Sequence, residues 1–434
     1  MRKYVLCWAA YASLDAEGDF VECGAYRGFG VDVVLRYLGK DFIGDRRFFA
    51  YDRYDNPSGS PFDGEDLGED QPDTLAAITD RFHGSSRVVV VKGLLPDAMD
   101  TTCPDRIAYA HIDIANALAT SLVLDRVLAR ASPGAVVVLN DYGWLAGYRT
   151  VKAAVDEVAA AWGLPVVELP TGQGIIVKTA GGRVASLPPV SLLSAEESLT
   201  PALFVPDACS GAPDAVAMFK RLLKPFEVNR VGNSAIAVEN MLIFCRHGGF
   251  RSDPRLAAAV AAAEPNLRET ATLWALHILC WAARASRAVG GCLVVCGGTD
   301  FEAAVILHDA AQSDSGTSFH VYAGIGGSHG PEREKTRRAG ARVIDGHPAD
   351  DVDAPADVAF LYLATRDADV DLSCLEVFFD RLAIGGILVI AGFNMKSTYP
   401  EKHRLLEFIA GRGQMILELP TGQGLMIRTP RTAP

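Results

Sequence analysis

The strongest constraint on this chain is that it repeats itself. The segment ELPTGQGIIVK begins at Glu168, and ELPTGQGLMIR begins at Glu418. The pentapeptide LCWAA begins at Leu6 and again at Leu279, each time ahead of an apolar run, DFVECG and CLVVCG. A third pairing sets Ile107 to Tyr142 beside Val358 to Phe393: strand, about 20 residues of helix, a Gly turn and a second apolar strand. Repetition at this spacing means two domains of one kind rather than a solenoid. A length of 434 residues also allows two full hydrophobic cores.

The expected division is a first domain over residues 1–180, a linker over 181–237 and a second domain over 238–434. Pro188, Pro189, Pro201, Pro206 and Pro213 fall in the linker, which reads as a Ser/Gly/Asp-rich connection with short helices. The helix ending in the second LCWAA is complete, over about Leu267 to Ala285, whereas the first copy starts almost inside its own.

Within the first copy, apolar runs at Phe20–Val21, Arg47–Tyr51, Val88–Val91, Ile107–Ile112, Ala135–Leu139, Val166–Leu169 and Ile175–Val177 alternate with helix-like stretches. That alternation predicts a mostly parallel sheet with helices on both faces. The last two runs are separated only by PTGQG, too short for a parallel crossover and long enough for a hairpin. The fold class is therefore α/β: two Rossmann-like domains, each a seven-stranded, mostly parallel sheet closed by an antiparallel hairpin.

Composition narrows the partners. The net charge is −12, with no block of Lys or Arg, so no nucleic-acid or anionic-membrane surface is expected. Nine Cys without a C-x-x-C pair fit reduced thiols, and Cys292 and Cys296 sit inside an apolar strand. No apolar run reaches the roughly 18 residues of a membrane span, and residues 1–10 are too short for a signal peptide. A cytoplasmic protein acting on a small molecule is the expectation.

Residues able to do chemistry fall at strand ends in the first copy. VECGAYRG, from Val21 to Gly28, follows the first strand; Gly24 and Gly28 let the backbone wrap a ligand, with Tyr26 and Arg27 between them. An acid at Glu22 would repel a pyrophosphate but can accept from the amino group of S-adenosylmethionine (SAM), so the loop favours SAM over NAD. Asp52 ends the second strand, where a carboxylate can receive ribose hydroxyls. Lys92 and Gly93 end the third strand, beside the position expected for adenine. Asp113 ends the fourth strand, and Asn140 and Asp141 end the fifth. Two carboxylates and an amide oxygen form a hard-oxygen set suited to Mg²⁺, which would lower the pKa of a bound hydroxyl. His111 and Tyr142 are further candidates for a base, alongside Asp113.

The first copy resembles the macrocin O-methyltransferase family over most of residues 6–178. The resemblance rests on ECGAYRG from Glu22, the YDRY acid Asp52, Lys92–Gly93, the HID of Asp113, NDYGW from Asn140 to Trp144, and PTGQG from Pro170. It implies a SAM-dependent, metal-dependent enzyme that methylates sugar hydroxyls of natural products. Two positions depart from the family pattern. Its strand-four Asp-x-Asp, whose second Asp is the proposed base, ends here in Ala115, and its strand-five Asp-Asp is Asn140–Asp141.

The second copy keeps the apolar strands and loses the acids. Val295 stands opposite Glu22, Ala323 near Asp52, Ala364 opposite Asp113, and Ala391 and Gly392 opposite Asn140 and Asp141. It reads as an inactive half, completing an intramolecular pseudo-dimer where relatives pair as homodimers; further homo-oligomerisation stays open. Competing readings are a metal-independent N- or C-methyltransferase and a SAM-binding regulatory or scaffold protein of a biosynthetic complex. Acceptor specificity would lie in loops such as Asn56 to Gly68.

Overall fold

The run IAYAHI, from Ile107 to Ile112, is buried at all positions, as a strand covered on both faces must be. It is β4 of a seven-stranded sheet. The others are β1 (Asp19–Cys23), β2 (Phe48–Asp52), β3 (Val88–Lys92), β5 (Ala131–Leu139), β6 (Val167–Glu168) and β7 (Gly174–Val177), in the order β3-β2-β1-β4-β5-β7-β6. Pairs β1/β2, β2/β3, β1/β4 and β4/β5 are parallel. All seven runs foreseen in the sequence are strands.

The computed structural model describes residues 2–39, 45–54, 74–143, 149–182, 184, 230–231, 235–238, 241–244, 253–263, 270–297, 300–311, 318–325, 336–337, 340–394 and 402–430. Trp144, the Asn56–Gly68 loop and most of the expected linker lie outside these residues.

Helices connect the parallel strands: α1 (Arg2–Ala12), α2 (Phe29–Leu38), α3 (Thr74–Arg81), α4 (Asp97–Thr102), α5 (Ala117–Arg130) and α6 (Arg149–Ala161). LCWAA lies in α1, and Val5 to Ala10 are all buried. The direction of α1 follows from its ends. Ser13 Oγ accepts from Val136 N at 3.2 Å, and Arg2 donates to the Asn140 carbonyl, so α1 runs antiparallel to β5. About 16 Å of helix rise then spans about 13 Å of strand.

Strands β8 (Arg230–Val231), β9 (Ala235–Val238) and β10 (Met241–Phe244) form a three-stranded antiparallel sheet. The described end of the expected helical linker is therefore strand. Beyond it come α7 (Pro254–Ala263) and α8 (Thr270–Ser286); α8 carries the second LCWAA and is complete, as expected.

A second seven-stranded sheet follows: β11 (Cys292–Gly297), β12 (Phe319–Ala323), β13 (Arg342–Asp345), β14 (Val358–Ala364), β15 (Leu382–Ile390), β16 (Leu417–Glu418) and β17 (Gly424–Ile427). Its order is β13-β12-β11-β14-β15-β17-β16, the same as in the first sheet. Pairs β15/β17 and β16/β17 are antiparallel, so PTGQG from Pro420 turns a hairpin, the arrangement read from its sequence. Helices α9 (Asp300–Ala311), α10 (Ala368–Phe378) and α11 (Lys402–Ala410) accompany it.

Contacts divide the chain into two compact units. One holds Met1–Tyr142, Tyr148–Gly163 and Ile175–Leu199; the other holds Gly143–Gly147, Leu164–Gly174 and Thr200–Pro434. The seven described cysteines are all free thiols. Among the described residues no helix is long and apolar enough to cross a membrane.

Candidate functional site

Strand order fixes where a ligand can sit. In the first sheet the order reverses between β1 and β4, and open α/β sheets bind ligands outside the carboxyl ends of the strands at such a point. Five candidate positions, Glu22, Asp52, Asp113, Asn140 and Asp141, lie at those ends or just beyond.

Glu22 and His111 are register partners on β1 and β4, so their side chains emerge side by side. Glu22 Oε1 lies 3.1 Å from His111 Nδ1, with both side chains 5% exposed. Burial pulls the His111 pKa down, but the Glu22 hydrogen bond and the charges of Glu22 and Asp113 outweigh it and leave the imidazole above its ordinary value. Glu22 thus engages His111 at Nδ1, beneath the surface, while the buried Nε2 of the ring has no hydrogen-bond partner among the described residues. Glu22 Oε2 is buried and has no hydrogen-bond partner among the described residues.

The carboxylate fits because α2 begins with a glycine at its second position. A Cβ on Gly30 would lie 2.3 Å from Glu22 Oε1 and 2.6 Å from Oε2. Sequence reading passed over Gly30, since nothing local distinguishes it from its neighbour Gly28. Gly28 has φ +73, and a Cβ there would lie 2.5 Å from Phe82 Cε2 and 3.0 Å from Ile78 Cγ1, which explains the glycine by backbone and packing.

Asp52 binds the loop that follows β1. Its Oδ2 accepts from Tyr26 N at 2.7 Å and its Oδ1 from Tyr54 N at 3.3 Å. Tyr26 takes φ +50 and stays half exposed, and the Arg27 guanidinium lies 5.4 Å from its ring centroid. Lys92, the register partner of Asp52, is exposed at the end of β3. Gly93 donates to the Asp52 carbonyl at 3.0 Å, and a Cβ there would meet Ala98 Cβ at 2.8 Å.

The second sheet separates residues the fold requires from residues chemistry requires. Glu22 pairs in register with Ala50 and His111, and Val295 pairs with Val321 and Tyr362. Counting along those strands sets Ala323 at the place of Asp52, Ala364 at Asp113, and Ala391 and Gly392 at Asn140 and Asp141. Gly297 stands where Gly24 does. A Cβ on Gly24 would meet the Asp113 carbonyl at 2.1 Å, and one on Gly297 would meet Thr365 Cγ2 at 2.6 Å. Gly346 donates to the Ala323 carbonyl at 3.1 Å as Gly93 does to Asp52. Gly24 therefore meets a demand of the fold, present even where the acids are absent, whereas a Cβ on Gly346 would meet nothing and only the backbone hydrogen bond of Gly93 is repeated. Burial, then the charge and hydrogen bond of Glu302, push the Tyr362 hydroxyl up where His111 stands in the first sheet.

Asp113 is half-buried, and no described residue hydrogen-bonds its carboxylate; Asn140 N donates to the Ile112 carbonyl, which brings the ends of β4 and β5 together. Burial and then the charge of Asp113 push the Asp141 carboxyl up to about 6, against the opposing pull of Arg2. Arg2 Nη2 lies 3.2 Å from Asp141 Oδ1 and also donates to the Asn140 carbonyl oxygen. Tyr142 faces elsewhere: its hydroxyl bonds Lys152 and Asp156 of α6, and Lys152 Nζ lies 3.8 Å from its ring centroid.

Residues 1–165 match the sequence profile of the family described as Macrocin-O-methyltransferase (TylF). The match covers 165 of the 434 residues, and that stretch is similar to the macrocin O-methyltransferase family. The match supports a SAM-dependent methyltransferase. No curated protein matches it. Among solved structures, the O-methyltransferase NovP is 18% identical, covering 41% of this chain and 80% of its own, with a TM-score of 0.32. CalS11, a TDP-rhamnose 3'-O-methyltransferase in calicheamicin biosynthesis, is 20% identical, covering 41% and 79%, at 0.32. PaMTH1 of Podospora anserina, bound to SAH, is 13% identical, covering 40% and 76%, at 0.29.

The first unit fits SAM on its own geometry. A buried carboxylate oxygen without a partner at Glu22 awaits a donor, and Gly30 leaves the room that a side chain would fill. It does not fit Mg²⁺ equally well. Among the described residues no group of three or more His, Cys, Asp and Glu converges as a metal site, and a guanidinium already sits on Asp141 and the Asn140 carbonyl. Arg2 was not among the residues singled out from sequence.

Proposed function

We propose that the protein transfers the methyl group of SAM to a hydroxyl of a small molecule, a sugar or glycosylated natural product, and does so in its first unit alone. The observation that carries this reading is the buried Glu22 carboxylate, paired to His111 through one oxygen and unpartnered at the other. Such a group is costly to bury without a second donor. The amino group of SAM's methionine part is the donor that the loop, the switch point and the family all favour.

In this reading Glu22 and the loop from Gly24 to Gly28 hold the methionine part, Asp52 receives the ribose, and Lys92–Gly93 border the adenine. When bound, SAM supplies an electrophilic methyl on its sulfonium. The protein aligns the acceptor oxygen with that methyl and removes the hydroxyl proton. Asp113 is the proton acceptor in this reading, because its carboxylate is half-buried at the strand end, whereas His111 is fully buried and Tyr142 is engaged by α6. Asp141, held by Arg2, sits beside it and orients the acceptor.

The second unit is read as a duplicated domain that keeps the fold and has lost the SAM contacts. Isothermal titration of the full chain with SAM, followed by turnover to S-adenosylhomocysteine with glycosylated acceptors, tests the proposal. Binding without turnover on any acceptor would favour a scaffold role instead.

A further inference from the structure

We infer that Arg2 is the built-in cation of the β4/β5 end, occupying with its guanidinium the position a divalent metal would need, so that this unit works without one. The inference rests on the methyltransferase reading only for its consequence in the reaction.

Three observations carry it. First, one guanidinium nitrogen takes both ligand types that a metal at this place would use: the Asp141 carboxylate at 3.2 Å and the Asn140 main-chain oxygen. The Asp141 side chain is only 14% exposed and that of Arg2 29%. A fork of fixed N–H donors suits such a carboxylate–carbonyl pair better than a hydrated ammonium would.

Second, the placement is built into the fold. Arg2 is the first residue of α1, whose far end is tied to β5 through Ser13 and Val136 and whose middle is buried through Trp8. The helix length matches the strand length, so the first turn of α1 is delivered to the end of β5.

Third, the second unit has lost both partners together. The spacing from LCWAA to the first strand is the same in the two copies, which sets Ala275 at the place of Arg2, and the sheet register sets Gly392 at the place of Asp141. A helix residue kept only for packing would have no reason to lose its charge along with a carboxylate on another element. The departure of Asn140 from a second carboxylate fits the same account, since one monovalent guanidinium needs fewer negative ligands than Mg²⁺ does.

The test uses the full chain, with Mn²⁺ as the probe, followed by electron paramagnetic resonance at millimolar concentration. The wild type is expected to bind no more Mn²⁺ than Asp141→Asn does. Alongside it, Arg2→Met, Asp141→Asn and the double variant form a cycle read by thermal unfolding. Arg2→Met should lower the first transition by about 3 °C, and adding Asp141→Asn should restore most of that loss. A wild-type Mn²⁺ site abolished by Asp141→Asn, or additive losses in the cycle, would overturn the inference. SAM titration of the same variants reads the proposed function separately. Additivity with intact SAM binding would sink the Arg2 assignment alone, and absence of SAM binding in the wild type would sink the function while leaving the cycle readable.

Discussion

Glu22 Oε1 and His111 Nδ1 meet at 3.1 Å inside the first sheet, joined by the register of β1 and β4. Glu22→Gln keeps the shape and removes the charge that both the imidazole and a bound ammonium would use. SAM affinity should fall at least about 10-fold, on the order of 1.5–3 kcal/mol for a charged hydrogen bond. Calorimetric titration reads it, and an unchanged Kd would remove Glu22 from the cofactor site.

Gly30→Ala separates sterics from helix propensity. Alanine favours a helix interior by about 1 kcal/mol over glycine, yet the added Cβ would sit 2.3 Å from Glu22 Oε1. SAM binding should be lost or severely weakened. Gly297→Ala strains the second-unit turn that corresponds to Gly24, and should lower stability while leaving SAM affinity unchanged. Equal effects of the two substitutions on SAM binding would contradict the division of roles.

Asp52 does two jobs, holding Tyr26 N at 2.7 Å and presenting a carboxylate to the ribose. Asp52→Ala should weaken SAM by about 10- to 100-fold, the loss of one or two charge-assisted hydrogen bonds. Asp52→Asn should recover part of that loss, because its amide oxygen still accepts from the loop. Full recovery would assign Asp52 to loop structure alone.

Tyr142→Phe should be mild. The second unit carries Phe393 in the corresponding stretch, with the Lys402 ammonium 5.8 Å from its ring centroid, so an aromatic–lysine packing persists without the hydroxyl. We expect kcat to fall less than about 10-fold, well short of the loss typical of a removed general base. A larger fall with unchanged KM would restore Tyr142 as a base.

Asp371 gives a pH signature confined to the second unit. It is fully buried on α10, accepts from Thr365 Oγ at 2.6 Å, and burial pushes its carboxyl up to about 7. A carboxyl raised in the folded state adds most stability below its unfolded pKa of about 4, and that stability is lost as pH rises through about 7. Asp371→Asn should therefore stabilise the protein at pH 8.5, on the order of 2–4 kcal/mol, and change little at pH 4. Stabilisation that did not grow with pH would contradict the assignment.

The strands, their order of appearance and the PTGQG turns were legible because each is a local pattern of burial and turn chemistry. The acids were legible because each follows a strand. What the sequence hid were relations between distant residues. Arg2 reaches Asp141 across 139 positions, and Gly30 matters only because Glu22 lies beneath it. The copies held a usable signal for Arg2, since the LCWAA alignment already set it against Ala275. Gly24 read as a cofactor contact from sequence, yet Gly297 shows that the fold asks for it independently.

One active unit per chain is the central claim, and the stoichiometry of SAM binding tests it most directly. Calorimetric titration of the full protein should give one SAM per chain, abolished by Glu22→Gln combined with Asp52→Ala. Two SAM per chain, or one that survives both substitutions, would contradict it.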